Sequence, residues 1–125
     1  MGARGSRLCI VPVLALAVGP AFAWSPATRI RIVDDAVRLM PEALRLALVR
    51  QREPLLRGML EPMADEDGPD HRPAGANGRL DQRFEDVVRQ AKQTLAQPGG
   101  FAEIARGFGE IAHFVADAGF PPGAA

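Results

Sequence analysis

Apolar residues return at helical spacing along most of this chain, and breaks in that spacing mark where elements should end. Ser25-Pro26 has the form of a helix start, a capping hydroxyl followed by proline at the first helical position. Ile30, Val33, Ala36, Val37 and Met40 then recur on one face. Pro41 opens a second helix with Leu44, Leu48 and Leu55 as its buried stripe, and Pro54, which lacks a ladder amide, should kink or split it. From Gly58 to Gly78 the periodicity stops and Gly, Pro, Asp and Asn predominate, which predicts a loop of about twenty residues. Phe84, Val87, Val88, Ala91 and Leu95 define a third helix, closed by Gln97-Pro98-Gly99-Gly100. A fourth runs from about Phe101 to Ala118, with Ile104, Ala105, Phe108, Ala112 and Val115 predicted to face inward. No strand-type alternation and no internal repeat occurs. The pattern predicts an all-α fold, a partial bundle of about four helices.

The beginning of the chain follows a different rule. Arg4 and Arg7 precede the apolar run Leu8 to Gly19 and then Ala21-Phe22-Ala23, the three-part pattern of a secretory signal peptide with an A-x-A cleavage site. The run is too short to span about 30 Å of hydrocarbon, and Pro12 interrupts it. Residues 1–23 are therefore expected to be removed after Ala23, taking Cys9 with them. The protein would be exported, to a periplasm or outside the cell, as a single domain over 24–125 with no integral membrane span.

Composition changes this picture little. The 125 residues carry 15 basic and 15 acidic side chains, a formal charge of zero, which excludes a strongly basic nucleic-acid binder. Removal of residues 1–23 leaves 13 basic and 15 acidic residues and no cysteine, so an oxidising compartment imposes no disulfide framework. Fourteen arginines accompany one lysine, Lys92.

Three features could carry chemistry. Cleavage would expose the Trp24 α-amine, which with its own carbonyl oxygen can chelate one metal ion; alternatively Trp24 is an apolar cap on the first helix. His113 and Asp117 lie four residues apart on one helical face, either as nitrogen and oxygen metal ligands or as a local or solvated pair. The loop from Glu61 to His71 gathers five acidic residues and an imidazole, among them Asp65, Asp67 and Asp70, without the spacing of an EF-hand.

Taken in order, a signal peptide ending at tryptophan, an acidic loop with His71, and the helix Ala112-His113-Phe114-Val115-Ala116-Asp117 followed by Pro121 form one constellation. It resembles the zinc-dependent phospholipase C family, similar in fold to the single-strand-specific nucleases with three zinc ions. The segment Leu55-Leu56-Arg57-Gly58-Met59-Leu60-Glu61-Pro62 also looks like that family's approach to its loop, and the resemblance extends from Trp24 to about Pro122. It implies zinc ligation by Trp24, His71, His113 and Asp117, and a phosphate ester or phospholipid as substrate.

The departures bear on activity. Arg29 stands where the family has histidine, Met63 where it has aspartate, and Gly123 where it has a further histidine. The family's later His and Glu ligands would follow Ala125, so the chain reads as a truncated, degenerate member. Asp65, Asp67 or Asp70 could replace the carboxylate lost at Met63. One zinc site at most is then expected, with hydrolase activity weak or lost. The alternative is a non-catalytic exported helical binding module or decayed gene fragment without zinc. If the family's fold is kept, Arg29 can replace the missing metal's charge with an ion pair to Asp117 near Trp24; alternatively it is a solvated arginine on an exposed helix face.

Overall fold

The Thr28 amide donates to the Ser25 hydroxyl at 3.2 Å and Pro26 takes the first helical position, so α1 (Pro26–Arg38) begins where its capping pair predicts. These are the first elements of a computed structural model that describes residues 24–120. The expected signal peptide over 1–23, with Cys9, and position 123 lie outside the described residues.

Leu39 ends α1, and Pro41, with φ −51° and ψ 145°, redirects the chain into α2 (Glu42–Arg50). The expected long second helix is split. Its break falls at Gln51 (φ −107°, ψ 34°), three residues ahead of Pro54, and α3 (Arg52–Leu60) starts anew. Pro54 thus sits in the first turn of α3, where a missing amide leaves no ladder bond unmade. Among the described residues five α-helices form rather than about four. Gly58 and Met59 are buried within α3, so the connecting segment begins at Glu61 rather than Gly58. It is organised as three short 3-10 turns, Glu61–Asp65, Pro69–His71 and Ala74–Ala76. Arg79 donates its amide to the Pro69 carbonyl at 2.8 Å and Leu80 donates to that of Arg72 at 3.0 Å, which closes the segment onto the start of α4 (Leu80–Ala96). Finally α5 (Phe101–Ala118) runs back across the molecule. No strand occurs among the described residues, and none of their helices is long and apolar enough to cross a membrane.

Helix α5 is the hub. On one side Ala105 and Ala116 join Val33, Val37, Leu48, Leu55 and Met59 in the main core; on the other Phe114 packs with Leu80 and Val87. Burial of such side chains from water is the principal stabilising contribution. Two residues expected to face inward are exposed instead. Val115 is 52% exposed and Leu95 57% exposed. The buried line on α5 is Ala105, Gly109, His113 and Ala116, and Val115 falls off that line. Leu95 sits in the last turn of α4.

The α3–α5 crossing is unusually close. A Cβ on Gly58 would lie 2.0 Å from the Arg106 carbonyl oxygen, and one on Gly109 would lie 1.9 Å from that of Leu55. Each helix needs a glycine where the other's backbone arrives. That approach brings the end of α3 against His113.

Candidate metal centre

Three donors from two elements meet beside this crossing. His113 and Asp117 project from successive turns of α5, and His71 is delivered by the 3-10 turn Pro69–His71. His71 Nδ1 lies 2.7 Å from Asp117 Oδ2; His113 Nε2 lies 3.2 Å from both. The side chains of His71, His113 and Asp117 are only 5%, 0% and 4% exposed. The reading in which His113 and Asp117 face solvent is therefore overturned.

The second nitrogen of His113 sets its chemistry. Nδ1 lies 2.8 Å from the Met59 carbonyl oxygen, which can only accept, so Nδ1 carries the proton. A neutral His113 ring then presents the Nε2 lone pair to the Asp117 carboxylate, acceptor against acceptor. Either a second proton or a metal ion between them resolves that opposition.

Arg29 completes the centre from the other side. It is fully buried on α1 and has four acceptors. Nε donates to the Trp24 carbonyl at 3.2 Å and Nη1 to the His113 carbonyl at 3.3 Å. Nη2 bridges two carboxylates, Glu66 at 3.1 Å and Asp117 Oδ1 at 2.5 Å. The ion pair expected from Arg29 is formed. Asp117 is thus shared, one oxygen to the guanidinium and the other to the imidazoles.

The loop aspartates take no part in the cluster. Asp70 pairs with Arg79 and lies 3.8 Å from Arg83 on α4, which ties the His71 turn to that helix. Arg83 also donates to Glu110 at 2.9 Å and lies 5.5 Å from the Phe114 ring centre, while His71 stacks on Phe114 at 5.3 Å. Asp65 and Asp67 are exposed. Trp24 acts as an anchor: its indole donates to the Ala116 carbonyl at 2.8 Å and meets Phe120 edge-on at 5.1 Å. Its carbonyl oxygen, a proposed metal donor, accepts from Arg29. Sequence reasoning did not single out Glu66, the Met59 carbonyl or the Asp70–Arg83 strut. The loop's acidic density offered no way to rank Glu66 above its neighbours, and a carbonyl leaves no mark in side-chain pattern.

Burial by itself would push the Asp117 carboxyl up, but hydrogen bonds from His113, His71 and Arg29 outweigh it and hold the group well below the usual carboxylate range. An unfolded aspartate titrates near about 3.9. Asp117 therefore contributes stability that is fully present above that range and is lost as pH falls toward its depressed folded value. In chelator-treated protein, urea midpoints should drop steeply below about pH 4, and part of that slope should vanish in Asp117→Asn. An identical acid slope in the variant would show that Asp117 is not the group responsible.

Family models, curated proteins and solved structures give no match to this chain.

The donor set itself can be tested for fit. Two imidazole nitrogens and a carboxylate oxygen are zinc ligands, and at bond lengths of about 2.0–2.1 Å tetrahedral donors stand about 3.3 Å apart. The observed 2.7–3.2 Å separations need only a slight opening to match. Protonated Nδ1 on Met59 is the supporting hydrogen bond that orients a metal-binding imidazole. The residues fit the ion.

Proposed function

We propose that this chain is an exported zinc-binding helical protein related to the zinc-dependent phospholipase C family, holding one ion with His71, His113 and Asp117. The observation that carries the reading is the convergence of these three donors, from two distant parts of the chain, with His113 tautomerically set as a ligand by Met59. The resemblance in residue order from Trp24 through Asp117 points the same way. When bound, zinc would supply a Lewis acid for a phosphoryl oxygen and an activated water. The chain's own residues orient and balance: Met59 fixes the His113 ring, Phe114 and the Asp70 strut hold His71, and Arg29 pairs with both Asp117 and Glu66.

Phosphodiester hydrolysis is proposed to be weak or lost. In the related family it relies on several ions, whereas here Arg29 and Met63 replace two ligands, and a guanidinium fills the space beside Asp117. Any substrate would be a phosphate ester or phospholipid.

Zinc titration tests this directly. We expect about one zinc per chain, loss of more than about 100-fold in affinity for His71→Ala and His113→Ala, and shifts of both imidazole NMR signals. Free zinc at about 100 times Kd should stabilise the fold by about 2.7 kcal/mol. Unmoved imidazole signals with an intact helical spectrum would sink the metal reading.

A second reading rests on its own observation. Among the described residues no buried side-chain nitrogen or oxygen lacks a protein partner. A metal-free descendant, with Arg29 in place of an ion, is consistent with that. Absence of zinc together with a stable fold would favour it.

A further inference from the structure

We infer that the chain carries a second site, independent of the metal centre, that binds small apolar amines in a cavity between the loop and helices α4 and α5. The cavity is an open cleft of about 510 Å³, within the range of about 300–1,000 Å³ typical of small-molecule sites. Pro73 and Gly75 form one wall, Leu80 and Phe84 of α4 another, and Phe114 of α5 the floor. Leu80 and Phe114 are otherwise buried core residues, so the floor is the protein's own packed interior rather than a chance surface dimple.

Charge selects the ligand. Asp81, in the first turn of α4, is the one ionisable residue in the lining, and it forms no ion pair with another described residue. An alkyl or aryl body would leave water along Phe84 and the Pro73–Gly75 wall while an ammonium group meets the Asp81 carboxylate. An anionic head of the same size would face that carboxylate with no basic side chain in the lining to offset it. This chemistry differs from that of the metal centre, where His71 stacks on Phe114.

Gly75 offers a clean block. A Cβ there would have nothing within 4 Å, so a larger side chain can start from the wall without a clash at its root. The test compares octylamine, octanol and octanoate, which share a tail and differ in head charge, with the Leu80 methyl NMR signals as readout. Octylamine should saturate at a concentration at least about tenfold lower than octanoate, an advantage of about 1.4 kcal/mol. Asp81→Asn should erase the preference for the amine over octanol. Gly75→Phe should weaken both by about tenfold or more while leaving the zinc affinity unchanged. Equal binding of octanoate, no saturation, or indifference to Gly75→Phe would each overturn the site. So would Leu80 shifts that track protein concentration without added probe, which would give the cavity to a second copy of the chain. Because the amine titration is read with chelator present, its outcome does not depend on the zinc result.

Discussion

Arg29→Ala is expected to destabilise the protein by about 3–5 kcal/mol, the largest single effect predicted here. The guanidinium is fully buried, and its removal leaves Asp117, itself only 4% exposed, without one of its hydrogen-bonding partners. Glu66 loses its partner too, and the carbonyls of Trp24 and His113 lose a donor. A small domain has only about 5–15 kcal/mol in total, so the change removes a large part of it. The loss is mainly that of stranding a buried charge, which a double-mutant cycle separates from the loss of packing. In chelator, urea unfolding of Arg29→Ala, Asp117→Ala and the double variant should give a coupling near the top of about 0.5–3 kcal/mol. Additive losses would refute the pairing. Should Arg29→Ala fail to fold, Arg29→Lys serves instead: lysine keeps the charge but not the planar fork that reaches two carboxylates and two carbonyls, and a lowered midpoint is still expected.

Gly109→Ala should also be costly, and Gly107→Ala should not. Both residues lie within α5, where alanine is intrinsically better than glycine by about 1 kcal/mol. At position 107 the new methyl would sit 3.6 Å from the Ala91 side chain, an ordinary contact, so a gain of up to about 1 kcal/mol is expected. At position 109 it would sit 1.9 Å from the Leu55 carbonyl oxygen and 2.8 Å from the Met59 amide nitrogen. Backbone cannot step aside as a flexible side chain can, so α3 and α5 must separate, at a cost near or beyond the upper end of about 1–3 kcal/mol. Met59 supplies the carbonyl that binds His113 Nδ1, so the same displacement should weaken zinc binding. Thermal melts of the two variants should move in opposite directions, by about 4–8 °C for each kcal/mol. Equal shifts would mean the helices do not approach as closely as the glycines indicate.

Much of the helical layout was legible from spacing and punctuation. Ser25-Pro26 marked the start of α1, Pro98-Gly99-Gly100 separated α4 from α5, and Pro54 flagged a division in the second apolar stripe. The position of that division was not legible, because proline is tolerated in a first turn and so marks the inside of a new helix as readily as the end of an old one. Val115 and Leu95 were misplaced for a related reason. Periodicity finds an apolar face but not where the neighbouring helix lies along it, so residues at its edge and end are assigned inward when nothing covers them.

For the site, His71, His113, Asp117 and Arg29 could be named from sequence. Side-chain chemistry and an i, i+4 spacing fix which groups can be donors and which two share a face. Choosing among Asp65, Glu66, Asp67 and Asp70 required the folded loop, since only the path of three successive 3-10 turns decides that Glu66 turns to Arg29 while Asp70 turns to Arg79. The sequence alone determined the helical class, most element ends and the inventory of possible ligands, because these follow from local backbone preferences and side-chain type. Tertiary structure alone decided that two imidazoles and a carboxylate converge at 2.7–3.2 Å, that a backbone carbonyl sets one tautomer, and that a guanidinium occupies the adjoining space. The Met59 contact depends on how closely α3 and α5 cross, and that is governed by the meeting of two glycines with two distant carbonyls rather than by any local pattern.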